Sequence, residues 1–172
     1  MKQILYTFLL LFSGLIFGQN PSSIFVSGGV VEKESYGAAL IYTYNSNNSH
    51  YEIGVAHYMF TKPINDIVTS EFSNTNLQLG YLHTLLRSRD NGISINFGLS
   101  VFIGVETIKE DPNQVLKSEG GTIGGAYGAG QIDFYVSDNF AFVLRGQQNY
   151  LFLEVNSGKT NPYAGFGLKF NF

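Results

Sequence analysis

The last eleven residues, Pro162–Phe172, alternate strictly between apolar side chains and small or polar ones. This period of two is typical of a β-strand, and the length fits a strand that crosses a membrane, which takes roughly 9–11 residues. An apolar strand at a chain end promotes aggregation unless both of its edges are paired, and a closed barrel pairs both. We therefore predict that this segment closes a β-barrel. Its apolar face carries Phe166, Leu168, Phe170 and Phe172.

The first eighteen residues have the layout of a secretory signal peptide. Lys2 is their single cation, and the run Ile4–Phe17 that follows carries no charge and is too short for a transmembrane helix. The sequence thus predicts a signal peptide over residues 1–18 and one barrel domain over residues 19–172. The chain has no Cys, which excludes disulfides and a lipid-modified N-terminal Cys.

The composition fits strands and disfavours nucleic-acid binding. Without Lys2, 9 Lys and Arg face 13 Asp and Glu, a formal charge of −4. A surface that binds the phosphate backbone is normally basic, so we expect no direct contact with nucleic acid. The 20 glycines and 4 prolines suit tight turns between many strands better than helices.

Alternation continues through the mature chain and predicts about eight antiparallel strands. The clearest is Ile93–Val105, in which seven apolar residues share one parity. The all-β fold we expect is a single up-and-down transmembrane barrel of the outer-membrane type. The predicted strands are Ile24–Val31, Tyr36–Tyr44, His50–Phe60, Asn74–Leu85, Ile93–Val105, Gly124–Val136, Phe140–Phe152 and Pro162–Phe172.

The connections between these strands alternate in length. The short turns are Asn45–Ser49, Arg87–Asn91 and Ser137–Asn139; the other connections are Glu32–Ser35, Thr61–Ser73, Lys109–Gly121 and Glu154–Asn161. Bacterial barrels have short periplasmic turns and longer outer loops. The pattern therefore predicts that both chain termini lie on the periplasmic side.

A soluble barrel would alternate in the same way but would point its apolar face inward at a ligand. The polar face here is rich in Gly, Ser and Ala, which suits a narrow lumen. It also carries charges of both signs, and buried charges persist only when they are paired. We therefore predict a structural polar network in the lumen, and expect the large aromatic residues to gather at strand ends as interfacial girdles. The network comprises Glu52, Asp133, Arg145 and Lys169, with Glu106 on the same face.

Sites of catalysis or cofactor binding are not evident. His50, His57 and His83 have no metal-ligand spacing, and each is expected to be a solvated residue near a strand end. The glycine-rich run Gly120–Gly130 lacks the Lys-Ser/Thr ending of a phosphate loop. We therefore expect no catalytic residue, no metal and no cofactor.

Several stretches resemble TraO, the conjugal-transfer protein of Bacteroidetes-type conjugative transposons. They occur in the family's order and cover roughly Leu77 to Phe172. The resemblance implies an outer-membrane component of a conjugation apparatus, in contact with membrane lipid and with other apparatus proteins, and it supplies no catalytic residue. The matching stretches are Leu77–Tyr81, Ile93–Leu99, Gly104–Ile108, Tyr127–Gly130, Tyr135–Phe140, Leu144–Gly146 and Pro162–Phe172.

Two other function classes remain open from the sequence. One is a stand-alone small barrel, a surface or adhesion protein similar to OmpA or OmpX. The other is a barrel enzyme that modifies lipids, which would need a His with a Ser or an acidic residue at the outer rim. A transfer component should be encoded beside other transfer genes and co-purify with their products, whereas a stand-alone barrel should do neither.

Overall fold

The computed structural model describes residues 22–31, 35–63, 69–110, 120–153 and 159–172. The predicted signal peptide lies outside these residues. Within them, no helix is long and apolar enough to span a membrane. The eight strands are β1 (Ser22–Val30), β2 (Tyr36–Ser46), β3 (Ser49–Pro63), β4 (Thr69–Arg87), β5 (Ile93–Glu110), β6 (Gly120–Ser137), β7 (Phe140–Leu153) and β8 (Thr160–Asn171).

Each strand pairs antiparallel with the next, and β8 pairs with β1 to close the sheet. Val26 lies opposite Leu168 across this closing seam, and Phe172 exchanges two backbone hydrogen bonds with Ser22. The sheet consequently has no free edge along this seam. The predicted fold class, an all-β antiparallel up-and-down barrel of about eight strands, is confirmed.

The barrel is strongly sheared. A row of directly paired residues can be followed around the barrel from Phe97 on β5. The row crosses each of the other seven strands once and returns to β5 at Thr107, ten residues further on. Shear, strand number and tilt are linked, and strands in such barrels tilt by roughly 35–45°. Eight tilted strands enclose an interior that side chains can fill.

Side chains alternate between the two faces of the sheet as the sequence predicts. Leu99 on β5 is 71 % exposed, whereas its neighbour Ser100 is buried inside the barrel. Outward positions of β5 carry a continuous series of apolar residues, and inward positions carry mostly Ser, Asn and Gly. The apolar face is therefore on the outside, which contradicts the arrangement of a soluble ligand-binding barrel.

Ser22, at which the described residues begin, the C-terminal Phe172 and the three short turns lie at one end of the barrel, which we call the terminal end. The opposite end, where the other four connections lie, is called the loop end. The turns at the terminal end occupy Asn47–Asn48, Ser88–Gly92 and Asp138–Asn139. Asn47 and Asn91 have positive φ angles of 54° and 56°, a conformation that Asn tolerates better than most residues.

The strands are longer than predicted at the loop end. β3 and β4 together take eight residues of the predicted loop Thr61–Ser73, and β5 and β6 take four residues of Lys109–Gly121. Outward positions in these extensions are polar, for example Glu71, Ser73 and Thr107. The prediction followed apolar alternation, which stops before the hydrogen-bonded strand does.

Candidate functional site: the polar lumen

Inward-facing polar side chains from all eight strands meet inside the barrel. Many are nearly inaccessible to solvent, including charged groups on β3, β5, β6, β7 and β8. Burial of an unpaired charge is costly, so the partners of these groups decide whether the arrangement is stable. The buried charged residues are Glu52, Glu106, Asp133, Arg145 and Lys169.

Arg145 and Glu52 form a bidentate ion pair across the barrel. Arg145 Nη1 donates to Glu52 Oε1 at 2.9 Å, and Arg145 Nη2 donates to Glu52 Oε2 at 2.8 Å. The two residues come from β7 and β3, which are not neighbours in the sheet. Paired N–H donors that match two carboxylate oxygens are among the stronger hydrogen bonds in proteins. This pair connects opposite walls of the barrel.

Lys169 and Asp133 form a second ion pair nearer the terminal end. Lys169 Nζ lies 3.1 Å from Asp133 Oδ2. Asn96 Nδ2 donates to the same oxygen at 3.1 Å, and the Ser94 hydroxyl donates at 3.3 Å. The buried carboxylate therefore has several donors besides its cation, as a charge in a dry interior requires.

Gln131 joins the two ion pairs. Its Oε1 accepts from Arg145 Nη1 at 2.9 Å, and its Nε2 donates to Asp133 Oδ1 at 2.7 Å. The structure thus brings the four residues predicted for the lumen into one connected network. Gln131 itself was not predicted. It shares the inward parity of Asp133 and lies directly opposite Arg145 across the β6–β7 register.

His50 extends the network toward the terminal end, so the expectation that it is solvated is wrong. It is 5 % exposed, with Nδ1 2.6 Å from Asn45 Oδ1 and Nε2 2.7 Å from Thr84 Oγ1. Thr84 in turn donates to Asn96 Oδ1 at 2.7 Å. His50 precedes Glu52 by two residues and therefore faces inward with it, a parity that the sequence already contains. His57 and His83 are exposed on the outer face.

Toward the loop end, the network passes through two tyrosines and two glutamines. The Tyr127 hydroxyl donates to Gln78 Oε1 at 3.0 Å. Tyr58 Oη accepts from Gln78 Nε2 at 3.1 Å and from Gln147 Nε2 at 2.7 Å. These bonds connect β3, β4, β6 and β7, so the middle of the lumen is filled by hydrogen-bonded side chains.

Apolar side chains fill the rest of the interior, which the sequence prediction missed. Phe60 and Phe72 stack with ring centroids 5.7 Å apart near the loop end, and both are buried. Ile123 and Leu151 are buried in a second apolar cluster. The predicted inward face carried mainly small, polar and charged residues, with Phe102 on β5 as an exception. Phe72 fell in the predicted loop Thr61–Ser73, so apolar alternation could not assign it to the interior.

A family model for conjugative transposon protein TraO matches residues 22–172, which include all eight strands and the lumen network. The chain belongs to the TraO family. No curated protein matches this TraO chain.

Solved structures similar to this TraO family member are small β-barrels. Neisserial surface protein A has a TM-score of 0.62 at 10 % identity, covering 88 % of this chain and 95 % of that one. Ail, the attachment invasion locus protein of Yersinia pestis, has a TM-score of 0.55 at 12 % identity, covering 90 % and 100 %. The N-terminal β-barrel domain of Pseudomonas aeruginosa OprF has a TM-score of 0.52 at 16 % identity, covering 90 % and 99 %. At these identities the similarity establishes the fold alone.

The closing strand of the TraO chain places its two phenylalanines, Phe166 and Phe170, on the outside. Phe166 stacks on Phe142 with ring centroids 5.7 Å apart, and Phe170 contacts Phe140 at 5.2 Å. Leu168 is half-buried on the same face, and Phe172 follows the last residue of β8. Beyond its backbone pairing, the seam between β7 and β8 is therefore covered by an aromatic ladder.

One exterior cluster bears on the enzyme hypothesis. Ser73 Oγ lies 3.4 Å from His57 Nε2, and His57 Nδ1 lies 2.8 Å from Thr75 Oγ1. The order matches nucleophile, base and orienting group, but the orienting group is a neutral hydroxyl. His57 and Thr75 are paired in the β3–β4 ladder, as are Met59 and Ser73. The backbone N–H groups of these paired strands are engaged in the sheet and supply no evident oxyanion hole. The cluster fits a polar band near the loop end better than a catalytic site.

The described part of the chain contains no group of three or more His, Cys, Asp or Glu residues that could hold a metal ion. Lys169 and Arg145 already occupy the two carboxylates of the network. The chemistry that the lumen supports is therefore mutual neutralisation of buried charges, with side chains occupying the space that an open channel would need.

Proposed function

We propose that this protein is an outer-membrane component of a conjugative DNA-transfer apparatus, with a structural or interaction role. Membership of the TraO family over residues 22–172 carries the proposal. The barrel supplies the physical basis, because its apolar exterior needs a lipid environment and a closed sheet satisfies the backbone within it. The small outer-membrane barrels to which it is similar support the same location.

The membrane orientation follows from the two ends of the barrel. The terminal end has the three short turns and would face the periplasm, as in bacterial outer-membrane barrels. The loop end would then face outward. Tyr44, Tyr51 and Tyr81 form an exterior aromatic series near the terminal end, with neighbouring ring centroids 6.4 and 5.5 Å apart. Such residues anchor barrels at the membrane interface. Export would require the signal peptide proposed for residues 1–18.

The filled lumen supports a role for the rims of the barrel. Ion pairs and apolar side chains occupy the interior, so DNA or an extended protein chain could not pass through it. Partners in the apparatus would instead contact the turns, the loop-end connections or the segment before β1. Because the mature chain is acidic, we propose that those partners are proteins and membrane lipid, and that the barrel does not bind DNA.

Deletion of the gene from a transfer element tests this proposal. We expect mating frequency to fall while growth of the donor stays normal, and the wild-type gene supplied in trans should restore transfer. If the protein is instead a stand-alone surface protein, the deletion should leave mating frequency unchanged. Co-purification from cross-linked donor envelopes adds a second comparison, because an apparatus component should retain other transfer proteins. Normal mating by the deletion strain would refute the proposed role.

The enzyme alternative is tested by the exterior cluster. His57→Ala and Ser73→Ala remove the base and the nucleophile that acyl transfer would need, and both side chains lie outside the lumen. Because we propose a non-enzymatic role, both variants should restore transfer as well as the wild type does. Loss of transfer by both variants, at normal amounts of folded barrel, would favour a lipid-modifying activity.

A further inference from the structure

A small internal cavity lies inside the barrel toward the loop end, above the ion pairs. Its volume is about 10 Å³. Apolar side chains and four asparagines form its wall, together with Tyr58. The four asparagines are Asn74, Asn76, Asn149 and Asn161. A polar cavity of about 10–15 Å³ is the smallest that holds one water molecule.

Asn74 presents an acceptor with no donor at this cavity. Its side-chain Oδ1 is buried and has no hydrogen-bond partner among the described residues, and the residue is 3 % exposed. A buried carbonyl oxygen without a donor destabilises the folded state, so native structures normally supply a donor.

Tyr58 presents a donor with no acceptor at the same cavity. Its oxygen accepts from Gln78 Nε2 and Gln147 Nε2. The orientation of Gln78 is fixed, because its Oε1 accepts from the Tyr127 hydroxyl. A phenol that accepts two hydrogen bonds still has its own proton to donate. Among the described side chains, no hydrogen bond accounts for that proton.

The two residues are neighbours in the sheet. Tyr58 on β3 lies directly opposite Asn74 on β4, and both side chains face inward. Directly opposed residues of an antiparallel pair have Cβ atoms roughly 4.5–5.5 Å apart. Both residues line the cavity, and its volume suits a single water molecule and no larger ligand.

We propose that this cavity is a binding site for one ordered water molecule, which accepts from the Tyr58 O–H and donates to Asn74 Oδ1. The donor at Tyr58 decides between water and a cation, because a cation accepts no hydrogen bond and would face the hydroxyl proton. The amides of Asn76 and Asn149 belong to the same wall, and one of them can complete the coordination of the water by donating an Nδ2 proton to its second lone pair. The water extends the hydrogen-bond network from Tyr58 to Asn74, next to the apolar side chains at the loop end.

A crystal structure of the full mature barrel at a resolution that shows ordered water tests the site. We expect one density peak within about 3 Å of both Tyr58 Oη and Asn74 Oδ1. Asn74→Leu should abolish the peak, since it removes the acceptor and fills the cavity. Gln148→Leu is the matched control, because Gln148 is an amide on the outer face and its loss should leave the peak in place.

Other outcomes would overturn the proposal. An empty cavity, with Gln147 turned so that its Oε1 accepts from Tyr58, would show that the protein satisfies the hydroxyl without water. An anomalous peak in the cavity after soaking with rubidium would identify a monovalent cation site. If Asn74→Leu does not fold, Tyr58→Phe provides the second variant, in which the peak should be lost or should move away from residue 58.

Discussion

At the scale of single residues, four of the charges inside the barrel persist because they form two ion pairs and have further polar neighbours. Arg145 contacts both oxygens of Glu52 and also Gln131. Asp133 accepts from Lys169, Asn96 and Gln131. Removing one member of a pair leaves the charge of its partner buried and unpaired. Removing both members leaves no unpaired buried charge.

Arg145→Met should therefore lower the free energy of unfolding by roughly 3–5 kcal/mol, because it strands the Glu52 carboxylate. The double variant Glu52→Gln/Arg145→Met should lose less than the two single variants together. Denaturant unfolding in lipid vesicles measures all three. Arg89→Met, in an exposed turn, is the control and should stay within about 0.5 kcal/mol of the wild type. Additive losses for the pair would show that the two residues are not coupled.

The four charged members of this network could be predicted from the sequence, but their partners could not. Parity assigned Glu52, Asp133, Arg145 and Lys169 to one face of the sheet. The pairing of Arg145 with Glu52 depends on the shear of the closed barrel, since the two residues are far apart in sequence and on strands that do not touch. Parity alone also could not reveal that Gln131 bridges the pairs.

At the scale of the strands, the outward face of β5 determines how the barrel meets its surroundings. Leu99 is in the middle of the apolar series, and Thr107 follows on the same face near the loop end. An Arg on a lipid-facing strand costs roughly 2–4 kcal/mol at the bilayer midplane and about 0–1 kcal/mol near the interface.

Leu99→Arg should therefore destabilise the barrel by roughly 2–4 kcal/mol in vesicles, and Thr107→Arg by about 0–1 kcal/mol. The comparison is matched, because both side chains are exposed on the same face of one strand. Equal and negligible costs would indicate that water, and not lipid, covers the exterior.

Glycines on the strands set how closely neighbouring backbones approach. A Cβ at Gly98 would overlap the carbonyl group of Tyr81, whereas a Cβ at Gly146 would meet no atom within 4 Å. Gly98→Ala should cost roughly 1–3 kcal/mol because the β4–β5 backbone must shift. Gly146→Ala should be nearly neutral, and thermal unfolding in detergent micelles compares the two. A neutral Gly98→Ala would show that the strands can separate there without cost.

Strand existence could be predicted from alternation, whereas strand length could not. Apolar alternation located all eight strands, and the Asn-Gly pair at Asn91 and Gly92 located a turn. The loop-end extensions of β3, β4, β5 and β6 alternate polar side chains on the outside, so hydrophobicity gives no signal there. The inward Phe60 and Phe72 likewise required the register, which places them opposite each other.

At the scale of the whole molecule, closure of the sheet and filling of the lumen act together. The bonded seam between β1 and β8 makes the barrel continuous, and the cross-barrel ion pair Glu52–Arg145 ties opposite walls. Toward the loop end, aromatic and aliphatic side chains occupy the lumen in place of the polar network. In the role that we propose, a barrel filled in this way would present its outer face to lipid and its two rims to partner proteins.

Single-channel recording in planar bilayers is the most direct test of a barrel that acts through its rims. The purified mature protein should insert and yet show no steady conductance, because side chains fill the lumen over most of its length. The barrel domain of a known porin in the same bilayer verifies that channels are detected. A wide and steady pore, present in every inserted molecule, would contradict a closed lumen and would make transport through the barrel its function.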